Sequence, residues 1–222
     1  MKFYAFLLSG LIHCGSCLAQ DLELPVKHLP VQEKVVALTF DDGPDEQVQK
    51  LMELLAQYDA KATFFVVGKQ LEKFPEMAKA AASAGHEIGN HSFSHPRLNE
   101  MTDDAARDEI VRTQALIQQL TGKTPSVFRA PYLAYSDHTM KILEEIGLTS
   151  INAIRSTSDW DRTTTSKQII ERSLNNIAPG DIILMHSWPP NTLKALPEVL
   201  RCLSEKGFRC VTVSEMLELS QN

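Results

Sequence analysis

Two short segments hold the side chains with the most chemistry. Thr39-Phe40-Asp41-Asp42-Gly43-Pro44 sets two adjacent carboxylates at the end of an apolar run, and His91-Ser92-Phe93-Ser94-His95 sets two imidazoles four residues apart in a loop-like context. Together they offer two nitrogen ligands, one oxygen ligand and one spare carboxylate. That is the donor set of a hydrolytic metal site with one coordination position left open for water. Consecutive side chains on an extended segment point to opposite faces. Asp41 and Asp42 are therefore expected to play different parts, one binding the metal and the other facing a substrate. Each segment alone has an ordinary alternative: Asp-Gly-Pro is common turn chemistry, and paired histidines can be polar loop residues. Their joint presence, with the motifs further along, carries the reading.

Groups so far apart in the chain need a scaffold that brings them together, and short apolar runs alternating with helical patterns supply one. Strands are expected over 35–40, 62–67, 86–89, 127–128, 149–154, 181–185 and 208–213. Between them, helices are expected over 46–57, 70–84, 101–120, 137–146, 166–176 and 193–206, with a short last helix capped by Ser214. Val48, Leu51, Met52 and Leu55 share one helix face, and Gly85, Gly122, Gly147 and Gly207 stand where helices stop. Apolar strands alternating with helices are the pattern of a parallel sheet wrapped by helices. The first choice is an α/β, TIM-like (β/α)7 barrel in a single domain. An open doubly wound sheet is second, but no glycine-rich phosphate loop supports it. Asp41, Asp42, His91, Arg129, Asp159 and His186 all fall at the C-terminal ends of expected strands, and in a barrel those ends share the face where active sites are built.

A chain of 222 residues is long enough for one such domain. A net charge of −6 argues against a nucleic-acid partner. The start of the chain reads as a leader: Met1-Lys2, an apolar stretch from Phe3 to Leu11, then Cys17-Leu18-Ala19 ending in small residues. This predicts a secretory signal peptide over 1–19, cut after about Ala19, and a catalytic domain over 20–222 that is secreted or periplasmic. The alternative is an uncleaved anchor, but the apolar run is short for a membrane span. Cleavage would leave Cys202 and Cys210, either bridged across a short loop or present as two buried thiols.

With these residues in place, the chain resembles the polysaccharide deacetylases, carbohydrate esterase family four, over 35–217. Five signature segments occur in order: the two above, Arg129-Ala130-Pro131-Tyr132, Asp159-Trp160, and Leu184-Met185-His186. The resemblance implies a distorted seven-stranded (β/α) barrel, a divalent metal (zinc first, cobalt or nickel as alternatives), and hydrolysis of acetyl groups on sugars by a monomer without a membrane span. It also implies roles. Asp41 would be the base, positioned by Arg129, while Asp42, His91 and His95 would hold the metal. Tyr132 would line the groove and present its backbone N–H to the oxyanion. Trp160 would wall the acetyl pocket and Leu184 would pack on the methyl. His186 would be the acid, tuned by Asp159. The chain departs from the family pattern at Leu133, Ser156 and Ser187, where glycine, aspartate and aspartate are frequent; none of these removes a ligand, acid or base.

The chemistry fits these parts. An amide resists water unless its carbonyl is polarised, its oxyanion needs donors, and its amine leaves poorly unless protonated, which a histidine beside a carboxylate can do. The first expectation is N-deacetylation of N-acetylglucosamine-containing glycans, chitin oligomers or peptidoglycan. O-deacetylation of acetylxylan at the same site is the second, prompted by the tail from Met185 to Thr192. A non-catalytic carbohydrate-binding module is a third, disfavoured by the complete set of ligands, base and acid.

Overall fold

A computed structural model describes residues 24–221, so the expected leader over 1–19 lies outside the described residues. In chain order the elements are β1 (Val35–Gly43), α1 (Val48–Ala56), β2 (Thr63–Val66), α2 (Gly68–Lys73), α3 (Pro75–Ser83), β3 (Glu87–Asn90), α4 (Asp103–Thr121), β4 (Val127–Phe128) and α5 (Asp137–Ile146). They continue with β5 (Thr149–Ser150), β6 (Arg155–Ser156), α6 (Ser166–Leu174), β7 (Ile182–His186), α7 (Pro190–Glu205), β8 (Arg209–Val211) and α8 (Val213–Leu219). All strand pairs are parallel, in the order β5-β4-β3-β2-β1-β7-β6, with β8 on the first three residues of β1. No helix among the described residues is long and apolar enough to cross a membrane.

The expected strand over 149–154 divides in two, and the division reveals the curl of the sheet. β5 and β6 stand at opposite ends of the strand order, yet only four residues separate Ser150 from Arg155. Five extended steps span at most about 17 Å, so the two edges must lie close together. The sheet is therefore rolled into a distorted barrel, and a strap at the start of the described chain closes its seam. Val26 donates to Ser150 O (2.9 Å) and accepts from Asn152 N (2.7 Å), while Leu29 donates to Gly180 O (3.0 Å). Gly180 has φ +85°, and a Cβ there would lie 1.7 Å from Leu29 O, so only glycine fits beneath the strap.

Two other expectations are corrected, and one left open is decided. The helix over 70–84 is two helices, because Pro75 has no N–H to continue the first and instead opens the second. The last helix is capped by Thr212, whose pairing with Glu215 forms a capping box, rather than by Ser214. Cys202 and Cys210 are free thiols, one on α7 and the other buried on β8.

The core has two main layers, set by the alternation of β1. Val36, Leu38 and Phe40 pack under α1 and α7. Val35 and Ala37 turn into the barrel against Phe65, Ile151, Ile182 and Val211. His86 belongs to this scaffold: it is buried edge-on to Phe64 and accepts from Ala62 N (3.2 Å), and burial with nearby Lys61 pushes its pKa down to about 4.

Candidate active site

Asp41 continues the inward series of β1, two residues beyond Thr39, and is almost completely buried. A carboxylate there needs a partner, and Arg129, just past β4, provides one. Its Nη1 donates to Asp41 Oδ1 and to Thr39 Oγ1, each at 2.7 Å. The rest of the guanidinium is used too: Nε donates to Ile151 O (3.3 Å), Nη2 to Asn152 O (3.0 Å), and the group lies 4.3 Å from the centre of the Phe65 ring. A forked, planar cation suits this nest where a lysine would not.

Strict alternation would turn Asp42 away from Asp41. Instead, the pairing of β1 with β2 skips Asp42, and the residue adopts φ +70°. The bulge swings its carboxylate to the same mouth. The two aspartates do differ in environment, but by their partners rather than by facing opposite sides.

The histidine loop is held by residues that sequence reasoning missed. At the end of β3, Asn90 Oδ1 accepts from Ser92 N (2.9 Å) and Ser92 Oγ from His95 N (3.1 Å). Glu109 of α4 accepts from Phe93 N (2.9 Å), Ser94 N (2.7 Å) and Ser94 Oγ (2.7 Å). Ser92 and His95 both have positive φ, so this network offsets local backbone strain. No spacing rule links Glu109 to residues 16 and 15 positions earlier. The inward period of β1 could have flagged Thr39.

His91 donates from Nδ1 to Arg129 O at 2.6 Å. A carbonyl can only accept, so the lone pair of Nε2 is left facing the site. Nε2 of His91 and of His95 lie 3.5 Å and 3.2 Å from Asp42 Oδ1. One ligand atom from each of Asp42, His91 and His95 falls within 4.8 Å of the others. Asp42 Oδ1 is buried and accepts no hydrogen bond. A buried, orphaned carboxylate oxygen between two imidazole nitrogens fits a cation held among the three. Burial works against the charge on Asp42, but the two imidazoles and His186 overcome it and hold its pKa well below the usual carboxylate range.

Across the mouth, at the end of β7, His186 donates from Nδ1 to Asp159 Oδ1 (2.8 Å). The other oxygen of buried Asp159 accepts from His186 N (2.8 Å) and Thr192 Oγ1 (2.6 Å). His186 Nε2 therefore faces the cleft, 3.8 Å from Asp42 Oδ2. That same oxygen accepts from Trp188 Nε1 (3.2 Å). Neither Trp188 nor Thr192 was singled out by residue type, although both follow the last signature segment closely.

A cavity of about 400 Å³ joins these groups, lined also by Tyr132, Leu133, Ser156, Trp160 and Leu184. Leu184 is buried, whereas Tyr132 and Trp160 stand exposed on the rim. Tyr132 packs edge-on against His95, 4.7 Å between centres, with the Arg97 guanidinium 4.5 Å from its ring. Eight of the ten residues expected at the site thus line one cavity, and the other two, Arg129 and Asp159, lie buried behind Asp41 and His186. His28 and His138 lie elsewhere, the first on Asp181 at the seam and the second on Ser136 and Leu98.

The profile of the polysaccharide deacetylase family matches residues 28–151. A peptidoglycan-N-acetylglucosamine deacetylase of Bacillus cereus is 37% identical over 197 residues, covering 86% of this chain and 71% of the relative. The peptidoglycan-N-acetylmuramic acid deacetylase PdaC of Bacillus subtilis is 32% identical, covering 85% of this chain but 40% of that longer protein. Among solved structures, the Bc1960 peptidoglycan N-acetylglucosamine deacetylase aligns with a TM-score of 0.82 at 35% identity, over 86% of this chain and 91% of its own.

Proposed function

The chain belongs to the polysaccharide deacetylase family, and we propose that it hydrolyses the acetamido groups of amino-sugar glycans, with peptidoglycan the leading substrate and zinc the leading metal. The observation that carries this reading is the orphaned Asp42 Oδ1 between His91 and His95, set beside an Asp41 that Arg129 holds from behind. The named activities of the relatives support the glycan. A donor set of two imidazoles and one carboxylate favours zinc, with cobalt or nickel able to substitute. Because such glycans lie outside the cytoplasm, residues 1–19 are read as an export leader and 20–222 as the catalytic domain.

A cation on Asp42, His91 and His95 supplies Lewis acidity to the acetyl carbonyl and to water. The protein supplies the rest. Leu184 and Trp160 seat the acetyl group. Asp41 accepts the proton from the attacking water through Oδ2, the oxygen Arg129 leaves free. The Tyr132 backbone N–H faces the developing oxyanion. His186 donates from Nε2 to the departing amine while Asp159 keeps its Nδ1 protonated.

The pH profile tests the last step. Burial lowers the pKa of His186, but the Asp159 hydrogen bond and the charges of Asp159, Asp41 and Asp42 outweigh it and raise the value above an ordinary histidine's. The protonated form is the acid, so activity persists below that pKa and fails as pH rises through it. Asp159→Asn lowers the pKa and moves the alkaline limb of kcat/KM to lower pH. A reduced kcat with an unmoved limb would remove Asp159 from this role.

The reaction itself is tested by acetate release measured side by side from peptidoglycan, chitin oligomers and acetylxylan. Chelator-sensitive release from the amino-sugar glycans is expected. Release from acetylxylan alone would make the protein an O-deacetylase. No release with zinc, cobalt or nickel would leave a binding module.

A further inference from the structure

Beside the metal triad the cleft opens into a second lobe of about 450 Å³, which shares Asp42 and His95 with the first. Its chemistry is different. Where the first lobe is walled by aromatic and aliphatic groups, the second is walled by Lys69, Gln70, Lys73 and Trp188. Lys69 and Lys73 are exposed. They stand four apart on α2 and so share one face. Neither side chain has an ion pair or hydrogen bond among the described residues. Gln70 Oε1 is buried and accepts nothing. The carboxylate of Asp45, also in the wall, is already engaged by Gln47 N (2.7 Å) and the Ser187 hydroxyl.

The lobe is fixed to the catalytic backbone. Val67 donates to Gly43 O (2.8 Å), Gly68 to Ser92 O (3.0 Å) and Lys69 to Phe93 O (2.9 Å). Gly68 packs so tightly on the histidine loop that a Cβ would lie 2.2 Å from the Phe93 ring. The segment that presents His91 and His95 therefore also anchors the start of α2, the helix that carries Lys69 and Lys73.

Resting on the deacetylase reading above, we propose that this lobe receives the residue next to the acetylated sugar and selects chains in which that residue carries a carboxylate. Lys69 and Lys73 pair with the carboxylate, Gln70 Oε1 accepts from a sugar hydroxyl or amide N–H, and the exposed Trp188 supplies an apolar edge. Chitin has no such charge. In peptidoglycan it comes from one of two sources: the lactyl group of muramic acid, free when no peptide is attached, or the peptide stem. Exposed lysines lose little against a neutral sugar, so the lobe sets preference and leaves the bond-breaking chemistry alone.

The test compares wild type with Lys69→Gln/Lys73→Gln on chitin pentamer, peptide-free peptidoglycan chains and peptide-bearing chains. KM for a charged chain should rise about three- to tenfold, the scale of two solvated ion pairs, with kcat and the chitin pentamer values unchanged. Loss on peptide-free chains assigns the lactyl carboxylate, and loss confined to peptide-bearing chains assigns the stem. Lys69→Arg/Lys73→Arg should restore the preference. Raising salt from about 50 to about 500 mM should weaken wild type on charged chains alone. Equal effects on all three glycans, or none, overturn the proposal. Equilibrium binding on an Asp41→Asn background separates the two readings. If wild type releases no acetate but charged chains still bind more tightly than chitin pentamer in a lysine-dependent way, the lobe stands and the deacetylase reading falls.

Discussion

Asp41→Asn is expected to keep the metal and to lose on the order of 10² to 10⁴ in turnover. The substitution is nearly isosteric, so Arg129 and Thr39 keep a neighbour of the same shape. What disappears is the proposed proton acceptor. The three proposed ligands are Asp42, His91 and His95, and Asp41 stands just outside them, with Oδ2 4.0 Å from His91 Nε2. Metal content by elemental analysis and acetate release on one preparation give the answer. If the variant loses its metal while Asp42→Asn retains it, the roles of the two aspartates are exchanged. In either case the buried Arg129 of Asp41→Asn faces a neutral partner, and some loss of stability should accompany the loss of rate.

His95→Ala should abolish tight metal binding, weakening affinity by more than about the hundredfold seen when outer partners of a metal site are removed. His95 is the more exposed of the two imidazoles, and it is braced by Tyr132 rather than by a backbone carbonyl. Alanine leaves Asp42 and His91, too few ligands for a structural or catalytic zinc site. Calorimetric titration with zinc is the measurement, and circular dichroism can check that the fold survives. Unchanged affinity would take His95 out of the set.

Much of this site was legible in the sequence because it lies where a parallel barrel ends its strands. Asp41, His91, Arg129 and His186 are fixed by strand ends, and an apolar run of four to six residues locates a strand end to within a position or two. The helix over Asp137–Ile146 was equally plain, with Gly147 closing it. What stayed hidden depends on groups distant in the chain. The period of a strand does not reveal that Asp42 sits in a bulge, because bulges are specified by pairing with a neighbour. Glu109 shows nothing of the loop it supports, since a helix surface carboxylate has the same pattern with or without a partner. The division of residues 149–156 between two edges comes from closure of the whole sheet, which no local window contains. The open question at Cys202 and Cys210 was one of geometry, and the structure answers it with two free thiols.

The strap at the seam bears on the reaction as well as on the fold. Val26 O holds Asn152 N, Asn152 O and Ile151 O hold the Arg129 guanidinium, and Arg129 holds Asp41. Asp41, the proposed proton acceptor, is thus the last link of a tether whose first link is Val26, near the start of the described residues. Truncating that stretch is therefore expected to slacken the grip on the carboxylate, because one buried guanidinium joins the barrel seam to the floor of the cleft.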